Sequence, residues 1–276
     1  MHSAGTLYVV ATPIGNAGDI GARAIETLRQ VDAICAEDTR HSGQLLARVG
    51  ISRPLVALHE HNEEAQAGQL VERLRGGQSL ALVSDAGTPL VSDPGFRLVR
   101  AAREAGIKVS PVPGPSALVA ALSVAGLPSD RFVFEGFLPA KTKARREHLQ
   151  ALAGEPRTLI FYESSHRIED CLADAVAAFG ADRRAVLARE LTKLFETVLD
   201  GSLAELAARV ATDADQRKGE FVLLIEGAPA DAEAALHAGQ RLYEQLRAHL
   251  PPSKAAKVAS EITGAPRKAL YGGGRE

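Results

Sequence analysis

Ser84-Asp-Ala-Gly-Thr-Pro89, continued as Leu90-Val-Ser-Asp-Pro-Gly95, is the stretch on which the reading of this chain turns. The run before it, Ser79-Leu-Ala-Leu-Val83, is apolar and bounded by Gly76-Gly77, as a buried strand would be. Phe96 to Arg103, after it, reads as a helix. The loop therefore sits at the carboxyl end of a strand, where open α/β sheets take their ligands. Gly87 permits close approach of the backbone to a ligand, Pro89 and Pro94 stiffen the turn, and Ser84, Asp85 and Thr88 supply polar groups. The same punctuation suits an ordinary strand-to-helix turn, so the neighbouring segments have to decide.

Upstream, Thr6-Leu-Tyr-Val-Val-Ala11 is a strand that runs into the turn Thr12-Pro-Ile-Gly-Asn16. Ala24, Leu28 and Val31 recur at helical spacing, and Ala33-Ile-Cys-Ala36 is a strand ending in Glu37-Asp-Thr-Arg-His41. Leu45, Leu46 and Val49 suit a helix stopped by Gly50, and Leu55-Val-Ala-Leu58 is a strand ending in His59-Glu-His-Asn62. Downstream, Lys108-Val-Ser-Pro-Val112 leads into Pro113-Gly-Pro-Ser116 and a helix from Leu118 to Ala125. Five strands alternating with helices up to Gly126 predict a mostly parallel, doubly wound sheet. In that topology the polar clusters at 12–16, 37–41, 59–62, 84–89 and 113–116 all face one edge.

The second half has a different rhythm. Arg131 to Phe137, Thr158 to Tyr162, Ala185 to Ala188, Glu196 to Asp200 and Gly219 to Ile225 read as strands. Several follow one another without a crossover helix, which predicts antiparallel pairs and a mixed sheet. Ser202 and Glu205 form a capping box for a helix from Leu203 to Val210. From Asp231 the chain turns helical. Leu242, Leu246 and Leu250 share a face, Pro251-Pro252 ends that helix, and two short helices, Lys254 to Thr263 and Pro266 to Tyr271, flank Gly264. The outline is that of a helix-turn-helix with a basic bias, although a solvated helical tail has the same composition; Gly272 to Glu276 is expected to fray. The sequence thus predicts an α/β protein of two domains, 1–126 with a mostly parallel sheet and 127–230 with a mixed one, a ligand cleft between them, and a small helical segment at 231–276.

Composition removes whole classes of function. The 276 residues carry a net charge of −2, so nucleic-acid contact would have to come from local patches such as Lys141, Lys143, Arg145 and Arg146. Cys35 and Cys171 are too few for a disulfide framework or a zinc site, and His59 and His61 lack a third ligand at metal spacing, so no metal is expected. No segment is apolar enough to span a bilayer and no signal peptide is visible, which predicts a cytoplasmic protein. Neither G-x-G-x-x-G nor G-x-x-x-x-G-K-[ST] occurs, and Ser164-Ser165-His166 lacks a nucleophile elbow. What remains is a cleft of Gly/Pro turns, carboxylates and hydroxyls, suited to a polar, neutral or cationic small ligand.

The ordered set Leu7-Tyr-Val-Val-Ala-Thr-Pro-Ile-Gly-Asn16, Ala36-Glu-Asp-Thr-Arg40, Ser84 to Pro89, Pro113 to Ser116, Phe161-Tyr-Glu-Ser164 with His166-Arg167, and Glu190-Leu-Thr-Lys193 resembles the ribosomal RNA small subunit methyltransferase I family of the tetrapyrrole methylase superfamily. The likeness runs from Thr6 to Glu226 and weakly into the tail. It departs from the family pattern at Ser165, where a proline is expected, and after Leu270-Tyr271, where a longer helix is usual. The resemblance implies S-adenosylmethionine in the interdomain cleft, methylation of the ribose 2′-hydroxyl of a decoding-centre cytidine in 16S rRNA within the small ribosomal subunit, and a homodimer. It assigns the cofactor to Pro13, Gly15, Ser84, Asp85, Ala86, Gly87, Thr88, Pro89, Pro113, Gly114, Pro115, Ser116 and Tyr162. Asp85 suits either a cofactor ribose hydroxyl or a loop cap. Two other activities fit the same fold, a corrin-precursor methyltransferase and a non-catalytic ribosome-assembly factor.

Methyl transfer to oxygen is an in-line displacement that needs acceptor and methyl about 3–3.5 Å apart, and a group to take the hydroxyl proton. The polar strand ends offer Glu37, Asp38, Arg40, His59, Asn62, Glu163, Arg167 and Lys193, each of which also suits a structural ion pair. Asp38 and Arg40 are the residues assigned to the acceptor site, and the basic run 141–146 to RNA phosphates.

Overall fold

In the computed structural model the described residues are 4–229 and 232–270, the side chains of 232–234 excepted. The expected fraying of Gly272 to Glu276, and Tyr271 as the end of the last helix, lie outside them. The chain divides into two compact units, one of residues 1–152 and 158–226 and one of 153–157 and 227–276.

The larger unit holds two five-stranded sheets. The first is built from β1 (Thr6–Val10), β2 (Ala33–Ala36), β3 (Leu55–Ala57), β4 (Leu80–Val83) and β5 (Lys108–Val112), connected by α1 (Ala22–Gln30), α2 (Thr39–Arg48), α3 (Glu63–Arg75) and α4 (Phe96–Glu104). Its strand order is β3-β2-β4-β1-β5 and every pairing is parallel. The reason is visible in β4. Leu80 and Leu82 pack with Leu7, Leu74 and Leu98 on one face, while Ala81 and Val83 pack with Val10, Leu28 and Ile34 on the other. A strand apolar on both faces needs helices on both, which parallel crossovers supply. Each fully buried leucine contributes about 1.5–3 kcal/mol to that packing.

After α5 (Ala117–Val124) come β6 (Phe132–Phe137), α6 (Thr142–Ala151), β7 (Thr158–Ser164), α7 (Ile168–Phe179), β8 (Arg184–Arg189), β9 (Thr197–Ser202), α8 (Leu203–Thr212) and β10 (Glu220–Ile225). The second sheet has the order β6-β7-β10-β8-β9. β6 and β7 are parallel, with α6 as the crossover, and the other pairs are antiparallel, so the sheet is mixed as its strand spacing implied. The capping box forms: Ser202 Oγ accepts from Glu205 N and Glu205 accepts from Ser202 N.

The basic run does not form an exposed strip. It lies on α6, and Arg145 points inward, 2% exposed, with Nε donating to Asp174 Oδ2 at 2.7 Å. Arg146 Nε donates to the other oxygen of the same carboxylate at 2.6 Å. Arg145 is therefore corrected from phosphate contact to core ion pair, because a buried Asp174 needs a counter-charge. Lys141 and Lys143 remain exposed.

The smaller unit contains α9 (Ala232–Arg247), α10 (Pro252–Thr263) and α11 (Arg267–Leu270). Pro252 opens α10, where its missing amide costs nothing, and Gly264 closes it with φ 73°. Tyr243, Ala255, Ala256, Ala259, Ala265 and Leu270 form its core.

Candidate functional site

The carboxyl ends of the first sheet's strands are stitched together by the Ser84–Pro89 loop. Thr12 N donates to Gly87 O at 2.8 Å and Gly87 N donates back to Thr12 O at 3.0 Å. Gly87 holds φ 80°, and Thr12 Oγ1 donates to Ser84 O at 3.1 Å. Asp38 N donates to Asp85 Oδ1 at 3.1 Å, and Thr88 Oγ1 donates to Pro115 O at 3.0 Å. One loop thereby fixes the ends of β1, β2 and β5. Ser84 is spent inside the loop, buried, with its hydroxyl on Ala86 O at 3.3 Å.

Among the described residues, four other than glycine have left-handed backbone, and all lie in two loops. Leu90 and Ser92 follow the Ser84–Pro89 turn, and Glu190 and Thr192 lie between β8 and β9. Such conformations cost of order 1–3 kcal/mol each and persist where the surroundings fix them, often at working sites. The loops face a cavity of about 520 Å³. Its first-sheet wall is Ile14, Glu37, Asp85 to Thr88, Val91 to Asp93, Ser116 and Ala117. Its second-sheet wall is Phe137, Tyr162 to Ser164, Ala188, Leu191, Lys193 and Glu220 to Val222.

Carboxylates dominate the polar part of this lining. Burial, then the nearby Glu37 and Asp85 charges, push Asp93 up to about 6, against a hydrogen bond from Ser84. Burial first, then Asp85, also raises Glu37. Among the described residues no lysine or arginine forms an ion pair with Glu37, Asp85 or Asp93. Glu163, 2% exposed, has one oxygen 3.2 Å from Arg167 Nη2, where the geometry makes an ion pair but no hydrogen bond, so Oε2 has no donor. Tyr162 stacks edge-on with Phe134 and Phe137, and its hydroxyl accepts from Leu118 N at 3.0 Å at the start of α5. Burial raises the pKa of that hydroxyl.

A second cavity of about 290 Å³ adjoins the first, sharing Ile14, Asp85, Ala86, Lys193 and Glu220. It is completed by Pro13, Gly15, Ala17 and one face of α2. Lys193 Nζ lies 2.8 Å from Glu190 Oε1 and 2.7 Å from Glu220 Oε2. Burial works against its charge, yet the two carboxylates outweigh it and hold Lys193 above its ordinary value. It is a fixed cation at neutral pH.

Of the residues assigned to a cofactor, Asp85, Ala86, Gly87, Thr88, Ser116 and Tyr162 line the larger cavity, and Pro13 and Gly15 line the second. Ser84, Pro89, Pro113, Gly114 and Pro115 line neither. Gly114 instead packs on Ala11, where a β-carbon would sit 3.1 Å from the Ala11 methyl. Asp38 and Arg40 also lie outside both linings. Asp38 is the N-cap of α2, accepting from Arg40 N at 2.7 Å and His41 N at 3.3 Å, and those bonds hold its carboxyl below the usual range. The Arg40 side chain is 91% exposed. His59 and Asn62 form a local turn, His59 N donating to Asn62 Oδ1 at 2.8 Å. Arg167 is turned to Leu138 O, 2.6 Å away. Sequence reasoning missed Ile14, Asp93 and Glu220 as lining residues. Asp93 was within the quoted loop and Glu220 begins a strand, so only β10's pairing brings the latter to Lys193.

Comparison with known proteins follows the same outline. Residues 6–207 match the family Tetrapyrrole (Corrin/Porphyrin) Methylases, and residues 226–272 match the RsmI C-terminal HTH domain. A ribosomal RNA small subunit methyltransferase I of Xylella fastidiosa (strain Temecula1) is 66% identical over 99% of this chain and 100% of its own length. Its namesake in Pseudomonas aeruginosa is 57% identical over 98% of this chain and 96% of its own length, and that of Escherichia coli O157:H7 is 56% identical over 98% and 94%. Among solved structures, a cobalt precorrin-4 methyltransferase has a TM-score of 0.59 at 20% identity, covering 80% of this chain and 94% of that one. A uroporphyrin-III-C-methyltransferase from Thermus thermophilus has 0.56 at 23%, with the same coverage, and both establish the shared fold. With the methylase family model matched over residues 6–207, the family's own terminal domain, and full-length relatives at these identities, this chain belongs to the ribosomal RNA small subunit methyltransferase I family of tetrapyrrole methylases.

Proposed function

We propose that this protein transfers a methyl group from S-adenosylmethionine to the ribose 2′-hydroxyl of a decoding-centre cytidine in 16S rRNA. The observation that carries the donor half is the larger cavity, which has ligand size, since small-molecule sites span about 300–1,000 Å³, and carboxylates without cationic partners. A sulfonium that also carries an ammonium group supplies the missing positive charge. Glu37 and Asp93 would hold the cofactor's cationic and hydroxyl groups, with Tyr162 and Phe137 against its apolar surface. When bound, the cofactor supplies a methyl group on positively charged sulfur, an electrophile. The acceptor half rests on the relatives' names and on the family's terminal domain.

The chain's own residues then align the acceptor and take up its proton. Lys193 remains charged, so it orients or stabilises and does not act as base. Asp85 stands on the wall common to both cavities and is positioned to receive the hydroxyl proton as the oxygen attacks. Lys141, Lys143 and the exposed part of Arg146 would meet RNA phosphates. The protein would act in the cytoplasm on the small ribosomal subunit, and no helix among the described residues is long and apolar enough to cross a membrane. A homodimer would cover Leu194 and Phe195, and Val198 on the edge strand β9, which are exposed apolar side chains.

The test supplies labelled S-adenosylmethionine with small subunits lacking the modification and, separately, with a corrin precursor. Label in the subunits alone is expected. Label in the corrin alone would keep the fold and overturn the substrate, and cofactor binding without any transfer would favour the assembly-factor reading.

A further inference from the structure

The second cavity has a character of its own. Its α2 wall is made by His41, Gln44, Leu45 and Arg48, at positions i, i+3, i+4 and i+7, so one helical face is turned to it. Among the described residues, the side chains of Arg48 and Gln44 make no hydrogen bond or ion pair, and the His41 ring makes no hydrogen bond. The opposite wall carries Lys193, whose charge is already matched by Glu190 and Glu220. Arg48 is therefore an unmatched cation beside an unengaged amide. The wall also offers an apolar patch, Leu45 and Ile14, on which a flat ring can lie.

We propose that this cavity is the seat of the acceptor nucleotide, with Arg48 binding the phosphate next to the target ribose and Gln44 bonding its base or sugar edge. The inference rests on the methyl-transfer reading above and names the acceptor subsite of that same site. A flipped-out nucleotide presents an anionic phosphate, a polar sugar and a flat base, and these match the guanidinium, the amide and the apolar patch in turn. Continuity of the two cavities across Ile14, Asp85 and Ala86 puts the ribose beside the donor pocket. Asp38, the N-cap of α2, is tied to Asp85, so the helix that bears Arg48 is held in register with the donor loop. The charged groups lining the cavity across from Arg48 are Asp85, Glu220 and Lys193, so with Arg48 itself two cations stand against two carboxylates and the phosphate meets no excess of negative charge.

The test is subunit binding by the full-length protein in the presence of S-adenosylhomocysteine, measured across a salt series for wild type, Arg48→Ala, Arg48→Lys and Gln44→Ala. Loss of one phosphate contact should flatten the slope of log K against log salt by roughly 0.7–0.9 in Arg48→Ala, weaken binding roughly tenfold near ~0.1 M salt, and leave S-adenosylmethionine affinity unchanged. Arg48→Lys should recover most of the slope, because it keeps the charge. Gln44→Ala should weaken binding without changing the slope. A folded Arg48→Ala variant with the wild-type slope and affinity would overturn the seat. Wild-type protein that binds subunits with a steep salt slope yet does not bind S-adenosylmethionine would overturn the donor reading instead, while the slope of Arg48→Ala would still decide the seat.

Discussion

Gly15 lies directly against Lys193: a β-carbon on Gly15 would overlap Lys193 Cγ and sit 2.9 Å from Thr192 Oγ1 and 3.1 Å from Leu191 O. Asn16 N completes the contact by donating to Thr192 Oγ1 at 3.1 Å. The turn after β1 and the strained loop between β8 and β9 are thus in contact, and this contact fixes the wall that the two cavities share.

Gly15→Ala should therefore damage the site more than the fold. The added methyl forces the 190–193 loop away from the β1 turn and displaces Lys193 from Glu190 and Glu220. Overpacking of this kind costs about 1–3 kcal/mol. We expect a melting temperature lower by a few degrees and methyl transfer reduced at least tenfold, measured by thermal denaturation and subunit methylation. Wild-type turnover in this variant would show that the contact does not set the site.

Asp174→Ala tests the corrected role of Arg145. Removing the carboxylate leaves a buried guanidinium without its partner, which costs about 3–5 kcal/mol, read from chemical denaturation. The wild-type pair has a pH signature as well. Burial opposes ionisation of Asp174, but hydrogen bonds from Arg146 and Arg145 outweigh it and hold its carboxyl below 3.8. A carboxyl depressed in the fold contributes stability that is fully present above its unfolded value and lost as pH falls through the folded one. The Asp174 contribution should therefore fade only below about pH 4. Lys143→Ala, by contrast, should leave stability unchanged and weaken subunit binding.

Cofactor affinity should depend on pH through Asp93. With its carboxyl raised to about 6, Asp93 is largely protonated at pH 5 and ionised at pH 7.5. Its negative charge favours a cationic ligand, so affinity for S-adenosylmethionine should rise as pH increases through 6, and binding near pH 6 should release protons. Calorimetry in buffers of different ionisation enthalpy measures both. Asp93→Asn should bind weakly with a flat profile over that range, and S-adenosylhomocysteine, which lacks the sulfonium charge, should show a smaller pH effect.

Asp85→Asn should separate chemistry from binding. It keeps the shape of the loop and an oxygen for the Asp38 amide, but removes the group proposed to take the hydroxyl proton. General-base loss typically costs about 10²–10⁴ in rate. We expect kcat to fall by that order with subunit KM nearly unchanged; an unchanged kcat would move the proton to Glu37.

The sequence made the first sheet legible because its signals were local. Leu80-Ala-Leu-Val83 is apolar on both faces, the Ser84–Pro89 turn marks its carboxyl end, and Ser202 and Glu205 announce their helix directly. The helix α6 escaped because its inward positions include Arg145, so a charged residue stood where an apolar one would have marked the stripe. Asp38 and Arg40 were attractive as polar residues at a strand end, yet the chain spends Asp38 on capping α2 and exposes Arg40. The Lys193–Glu220 pair spans 27 residues and exists only because β8 and β10 are neighbours, which no local pattern announces. The site is thus readable where it is made of turns and hidden where it is made by strand pairing.

The central claim, methylation of a ribose hydroxyl, is tested most directly by alkaline hydrolysis of rRNA labelled by this protein from S-adenosylmethionine. A 2′-O-methyl group blocks attack on the neighbouring phosphate, so the account predicts label in an alkali-resistant dinucleotide whose 5′ residue is cytidine. Label released entirely in mononucleotides would place the methyl group on a base and contradict it.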